Sequence, residues 1–221
     1  MSGLTECSVP GRRGLFLDLD GTLADSLGLL RGAYHGFLAR FGAVGSEAEF
    51  QSLNGPPLAD IVATLRRSHG LVPEVGDLLD LYAGLIARDH AAVPPAPGAR
   101  AVLERARQKG WVVAVVTSTA RDPARRWLER VGLDTLVDEL VGGDEVSVGK
   151  PDPEPYRLAL RRTGCVAARS LAVEDSPQGA SSAAAAGLPV WLLAPVLPPH
   201  LGTNPQMLGA LPHLAALMSR I

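Results

Sequence analysis

The stretch ARAVLERARQKGWVVAVVTST, residues 99–119, reads as a helix, a stop and a buried strand in immediate succession. Helical periodicity runs over Ala99–Gln108 and ends at Gly110, and Trp111–Val116 is apolar throughout. A strand without polar alternation is the kind that lies covered on both faces of a parallel sheet. The same rhythm continues downstream. Pro123–Val131 is helical, with Pro123 in its first turn and Gly132 beyond its end. Val137–Val141 reads as a weaker strand, Pro153–Arg162 as a helix before Gly164, and Leu171–Val173 as a strand. Gln178–Ala186 is an alanine-rich helix whose Ser181–Ala186 run suits close packing, and Pro189–Leu193 is a further strand. A short last helix is expected over Pro212–Arg220.

Upstream the pattern changes. Leu15–Leu19 is a short apolar run that closes on acidic residues and Gly21, as a buried strand followed by a turn does. Helical segments then cover Leu29–Phe41, Glu47–Leu53, Leu58–Ser68 and Val75–Ala91, with no convincing strand among them. Pro94, Pro95, Pro97 and Gly98 make a stiff connector back into the alternating region. Strand–helix alternation interrupted by a helical block predicts an α/β fold. The expected architecture is a Rossmann-like doubly wound parallel sheet core, residues 1–26 and 93–221, with an inserted all-helical cap domain at residues 27–92.

At 221 residues the chain is long enough for a sizeable core, and 47% hydrophobic with 20% charged residues is an ordinary globular balance. A formal net charge of −2 and a pI near 6.2 exclude a global basic field for nucleic acid or anionic lipid. Arg125–Arg126 and Arg161–Arg162 fall in helical segments and read as solvated faces. Cys7 and Cys165 lie far apart without companion ligands, so neither a disulfide framework nor a zinc site is implied. Met1–Gly14 lacks the apolar run of a signal peptide, and no stretch approaches the roughly 18 apolar residues that span a bilayer. A cytoplasmic chain is expected, without nucleic-acid or membrane partners, and a monomer is the simpler expectation.

Three polar groups share one geometric property. Asp18 and Asp20 close the first strand, Thr117 and Ser118 follow Val112–Val116, and Glu174 and Asp175 follow Leu171–Val173. Ligand crevices of open parallel sheets lie outside the carboxyl ends of the strands, so these residues are expected at one edge. Asp18 and Asp20, two apart on extended chain, point to the same side. Carboxylates at that spacing repel unless a cation or a shared proton separates their roles. A divalent ion held by Asp18 and Asp175 would do so, and oxygen-only ligation suits Mg²⁺. Asp18 could then attack phosphorus while Asp20 manages protons. Lys150 can reach phosphoryl oxygens and hold the charge of Asp18, oriented by Glu174, and Thr117 can donate its hydroxyl.

DLDGTLADS (Asp18–Ser26), VTST (Val116–Thr119), GKPDP (Gly149–Pro153) and VEDSPQGA (Val173–Ala180) resemble, in order, the four motifs of the haloacid dehalogenase superfamily. The likeness is to the phosphoglycolate phosphatase and β-phosphoglucomutase-like branch and runs from about Leu15 to Leu192. It implies Asp18 as nucleophile, Asp20 as acid/base, and Thr117 or Ser118 with Lys150 as phosphate binders. It further implies Mg²⁺ held by Asp18, the Asp20 backbone carbonyl and Asp175, with Glu174 close by. Residues 27–92 would close over the substrate, and the loop LNGPPL (Leu53–Leu58), with Asn54 and Gly55, resembles the segment that helps set specificity. The implied activity is phosphatase action on a small phosphorylated metabolite, of the phosphoglycolate or sugar phosphate class, through an aspartyl-phosphate. Sugar phosphomutase action and non-catalytic metabolite sensing are the alternatives. Asp20 disfavours dehalogenation, and the lack of lysine between Leu27 and Ala92 disfavours Schiff-base chemistry. The mutase branch generally carries a histidine near the position of Leu30, and His35 is one turn onward.

Other features read structurally. Asp25 and Ser26 stand where they can cap the first helix of the insert or serve its hinge. Gly149–Lys150 lacks the glycine and Ser/Thr of a nucleotide-binding loop, having Asp144 and Pro151 there. The five histidines form no zinc pattern, and Arg31, Arg40, Arg66, Arg67 and Arg88 are individually expected to face solvent. Trp111, Trp127 and Trp191 fit core or near-core positions.

Overall fold

The computed structural model describes residues 11–90 and 92–221; residues 1–10, Cys7 among them, and Ala91 lie outside the described residues. Strands β1 (Gly14–Leu17), β2 (Val112–Val116), β3 (Glu139–Val141), β4 (Leu171–Glu174), β5 (Val190–Leu193) and β6 (Met207–Leu211) form one sheet. Its order is β3-β2-β1-β4-β5-β6, and every pairing is parallel. The chain therefore builds outward from β1 on one side and from β4 on the other. The reversal falls between these two neighbours, where Leu15–Leu17 face Leu171–Val173 in register. That is the switch point at which open α/β sheets hold ligands.

Helices cover both faces because the strands are apolar on both. Leu15 and Leu17 of β1 pack with Val113 and Val115 against α5 (Ala99–Gln108) and α6 (Arg121–Arg130), through Val102, Leu103, Trp127 and Leu128. Phe16, Ala114 and Ala172 point the other way. They meet α7 (Glu154–Thr163) and α8 (Pro177–Ala185) at Tyr156, Ala159, Ala180 and Ala183. The alanine-rich α8 is the close-packed helix its composition suggested: small side chains let it lie flat on the sheet.

Helices α1 (Leu27–Ala39), α2 (Glu47–Ser52), α3 (Leu58–His69) and α4 (Val75–His90) intervene between β1 and α5. They bury a core of their own around Tyr34, Phe37, Val62, Leu65, Leu78 and Tyr82. The chain leaves and returns side by side: Asp25 N–H donates to Pro94 O at 3.0 Å and Ala96 N–H to Leu23 O at 2.7 Å. No helix among the described residues is long and apolar enough to cross a membrane, and Cys165 carries no disulfide.

Some local expectations shift. β1 ends at Leu17, so Asp18 and Asp20 belong to the turn rather than the strand. Ser26 does not cap α1; its hydroxyl accepts from Gly21 N–H at 3.1 Å and pins the turn instead. The end of the chain supplies β6 and the short α9 (Pro199–Gly202), neither of which was expected, and the last helix is a 3₁₀ segment over Leu214–Ser219.

The inserted helices also enclose a polar knot. The Tyr34 hydroxyl donates to Glu49, accepts from Ser46 N–H at 2.9 Å, and His69 Nε2 lies 2.9 Å from Glu49 Oε2. Burial pushes the Glu49 carboxyl up, but the bonds from Tyr34 and His69 outweigh it and hold it below the usual value. Tyr34 is pushed up to about 12, by burial first and then by Glu49. A depressed carboxylate contributes stability above its unfolded pKa, about 4.3, and loses it as pH falls through the folded value. Glu49→Gln is accordingly expected to cost about 1–2 kcal/mol at pH 7 by urea unfolding. The gap to wild type should narrow toward about pH 3; an unchanged gap would show that the carboxylate charge contributes nothing.

Candidate active site

The tips of β1, β2 and β4 meet over a cavity of about 740 Å³ beneath the inserted helices, with Asp18, Asp20, Thr117, Ser118 and Asp175 in its wall. Asp18 directly follows β1, and its N–H donates to Val173 O at 3.1 Å, which ties the turn to the neighbouring strand. Glu174 is the last residue of β4 and Asp175 the next. One carboxylate oxygen from each of Asp18, Glu174 and Asp175 can be chosen so that all three lie within 4.8 Å of one another.

A single ammonium stands among these acids. Lys150 Nζ donates to Asp18 Oδ1 at 2.6 Å, to Glu174 Oε1 at 2.5 Å and to Val116 O at 2.9 Å. Its side chain is 2% exposed, and that of Glu174 is 0% exposed. The Tyr156 hydroxyl adds a bond to Glu174 Oε1 at 2.6 Å. Burial works against the Lys150 charge, but Asp18 and Glu174 more than offset it and hold its proton more firmly than usual. Burial pushes the Asp18 carboxyl well above the ordinary range despite Lys150, and Glu174 and Asp175 add to the rise. Asp175 is pushed up to about 7, by burial first and by Glu174 next. Three crowded carboxylates against one ammonium leave an excess of negative charge, with oxygen donors converging on one point. This donor set fits a hard divalent cation.

Asp20 lives in a different neighbourhood. His90 Nε2 lies 3.0 Å from its Oδ1, and the Thr119 hydroxyl donates to its Oδ2 at 2.8 Å. Burial pushes Asp20 up, yet the bonds from His90, Thr119 and Ser26 prevail and hold it below the usual value. Two acids separated by one residue are thus driven in opposite directions by their surroundings. Gly21 allows this tight turn. It adopts φ +83°, and a Cβ there would lie 2.2 Å from Asp175 Oδ2.

Thr117 is buried, its Oγ1 accepting from Thr119 N–H at 3.0 Å, which leaves its hydroxyl proton for a ligand. The loop between α2 and α3 closes the top. Asn54 Nδ2 donates to Asp175 Oδ2 at 2.8 Å, Ser118 Oγ to Gly55 O at 2.8 Å, and Gln178 Nε2 to Ser52 O at 3.2 Å. Gly55, at φ +109°, makes this approach feasible, since a Cβ would sit 2.8 Å from Ser176 Oγ.

All nine site residues expected from sequence thus lie around one cavity or directly beneath it. Glu174, expected close to a cation, groups with Asp18 and Asp175, while the Asp20 side chain turns toward His90 and Thr119. His90 itself was missed, and Thr119 was quoted in a motif without a role. Neither of them has a sequence signal that ties it to Asp20. Arg31, Arg40, Arg66, Arg67 and Arg88 are all absent from the cavity wall. Arg31 pairs with Glu47, Arg66 with Glu74 and Arg88 with Asp89.

Residues 15–193 match the model of the family described as haloacid dehalogenase-like hydrolase. The chain is 33% identical over 191 residues to a phosphoglycolate phosphatase of Rhodospirillum rubrum, covering 82% of this chain and 79% of that one. It is 34% identical to the validoxylamine A 7′-phosphate phosphatase of Streptomyces hygroscopicus subsp. limoneus, covering 77% and 80%. Among solved structures, a hydrolase from Pseudomonas syringae superposes with a TM-score of 0.81 at 22% identity, over 94% of this chain and 97% of that one, a likeness of fold. With the sheet order, the strand-tip acids and these matches in agreement, the chain is an enzyme that belongs to the haloacid dehalogenase-like hydrolase family.

Proposed function

We propose that this hydrolase is a Mg²⁺-dependent phosphatase that cleaves a small phosphomonoester through an acyl phosphate formed on Asp18. The observation that carries the reading is the paired but opposite settings of Asp18 and Asp20 in one cavity wall. Asp18 sits in the carboxylate cluster beside Lys150, and Asp20 is gripped separately by His90 and Thr119. The roles rest on this placement: a cation held by Asp18 would favour its ionised form against the rise that burial imposes.

In the first step an Asp18 oxygen attacks phosphorus, the P–O bond to the alcohol breaks, and the departing oxygen takes a proton from Asp20. A phosphoryl dianion arriving beside Asp20 adds negative charge and favours its protonated form. In the second step Asp20 takes a proton from water, the water oxygen attacks phosphorus, and inorganic phosphate leaves as Asp18 is regenerated. Lys150, the Thr117 hydroxyl and the Ser118 backbone would neutralise and orient the phosphoryl oxygens. Asp18, Asp175 and the Asp20 backbone carbonyl would hold the cation, with Glu174 close by. When bound, the cation supplies positive charge for the phosphoryl oxygens.

Residues 27–92 act in this reading as a cap on a core of residues 1–26 and 93–221, with Asn54 and Gly55 as its contacts to the site. Their separate core and the paired connectors at Asp25 and Pro94 support that division. His35, the residue that kept a phosphomutase in view, is exposed and outside the cavity wall, where Leu30 stands instead. Phosphatase action is the better fit, in keeping with the names of the two phosphatase relatives.

Asp18→Asn is expected to lower phosphate release by roughly 10³-fold or more while the circular dichroism spectrum stays native. Retention of most activity would refute the nucleophile. Chelating divalent ions should abolish turnover, and Mg²⁺ should restore it; full activity in excess chelator would refute the cation.

His90 is expected to position Asp20. His90→Ala should lower kcat about 10–100-fold with KM nearly unchanged. His90→Gln, which keeps an N–H donor at similar reach, should recover most of the loss. Equal loss in both variants would reduce His90 to a packing residue.

A further inference from the structure

The wall that the inserted helices give the cavity differs from the rest. Where the cavity meets the strand tips it carries the acids, Thr117 and Ser118; where it meets the inserted helices it is walled by Leu30, Phe50, Ile61, Leu79, Ala83 and Ile86. No lysine, arginine, aspartate or glutamate of α1–α4 lines it. Two polar side chains of those helices do. His90 is bonded to Asp20, and Tyr82 is stacked on Phe37 with ring centroids 4.8 Å apart. Asn54, on the loop, is already bonded to Asp175. Leu30, Ile61, Leu79 and Ile86 pack against the insert's core yet are only partly buried, so apolar surface is left facing the chamber.

Closure does not explain this wall away, because the bonds from Asn54, Ser118 and Gln178 already join insert to core. What a bound ester meets in this arrangement is the wall just described. On the opposite side Arg126, Arg130 and Asp144 are exposed to solvent. At about 740 Å³ the chamber falls within the roughly 300–1,000 Å³ of pockets that take drug-sized ligands. A contiguous apolar surface of this kind marks a ligand groove.

We propose that the substrate is a monophosphate of a largely apolar alcohol, aliphatic or aromatic, whose hydrocarbon body fills the chamber beneath α1–α4. This deepens the phosphatase reading and rests on it. A polyhydroxylated alcohol lying against Leu30, Ile61, Leu79 and Ile86 would bring hydroxyls that these side chains cannot pair, each costing about tenfold or more in affinity when buried unpaired. A two-carbon acid such as glycolate would leave most of the space unfilled. An alkyl chain gains with each methylene it removes from water.

The test compares hydrolysis of ethyl through octyl phosphate, phenyl phosphate, phosphoglycolate and glucose 6-phosphate by the Mg²⁺-supplied protein. Binding of methyl- to octylphosphonate is measured alongside by fluorescence of Trp127, which lines the chamber. The expected result is a rise in kcat/KM of about two- to fourfold per added methylene, mirrored in phosphonate affinity. Phosphoglycolate and glucose 6-phosphate should fall at least tenfold below the best alkyl or aryl ester. In Ile86→Asn the dependence on chain length should flatten.

If phosphoglycolate or glucose 6-phosphate is the better substrate, the apolar inference is overturned and the phosphatase reading stands. If phosphonates bind in order of chain length but no ester is cleaved, the apolar chamber stands and the phosphatase reading falls. A chain-length dependence unaltered in folded Ile86→Asn would overturn the assignment of the chamber as its source.

Discussion

The structure turns on one buried ammonium. Lys150 reaches from the loop ahead of α7 to the ends of β1, β2 and β4 at once, touching Asp18, Val116 O and Glu174. The sheet order makes this necessary: with β1 and β4 as neighbours, the acids that follow them are forced together. Burial of an uncompensated charge costs several kcal/mol, so removing one partner harms more than the pair contributes. Tyr156 spends its hydroxyl on the same Glu174, and burial with Glu174 beside it pushes that phenol well above the usual range. Even so, one positive charge cannot balance three carboxylates. The remaining imbalance is what the cation of the proposed reaction would offset.

How far the sequence discloses this arrangement depends on what kind of information each part needs. Strands buried on both faces must be apolar runs, so β1, β2, β4 and β5 could be read directly, and the carboxyl-end rule then located the acids. β6 resisted because Met207–Leu211 is made of good helix formers around a glycine, and its parallel neighbour, not its own preference, makes it a strand. Ser26 misled for a related reason: a serine before a helix is a ready cap, yet here the turn at Gly21 claims its hydroxyl. His90 was illegible in a stronger sense. It lies 70 residues from Asp20, and nothing local says which way the end of α4 faces. Asn54 lies 121 residues from Asp175 and was singled out only through family likeness.

The insert presents two kinds of surface to the cavity. The loop between α2 and α3 bonds Asp175 and Ser118, whereas the helices themselves turn aliphatic and aromatic side chains toward the cavity. In the proposed reaction such a division would let the strand tips hold the phosphoryl group while the insert selects what hangs from it. Because the insert has its own core, its inner wall can change without disturbing the acids.

Separation of that kind would leave the insert a passive lid were it not for His90. This histidine closes α4, just ahead of the return connector, and donates or accepts at Asp20 across the boundary between insert and core. Asp20 in turn sits beside Ala24, whose backbone meets Pro95 on the way back. Any movement of the insert that carries α4 away also removes a partner from Asp20, the acid to which the proposed reaction gives the proton transfers. Docking of the insert and the state of Asp20 are therefore mechanically one event. In the proposed reaction a ligand that holds the insert against the core would also hold His90 on Asp20.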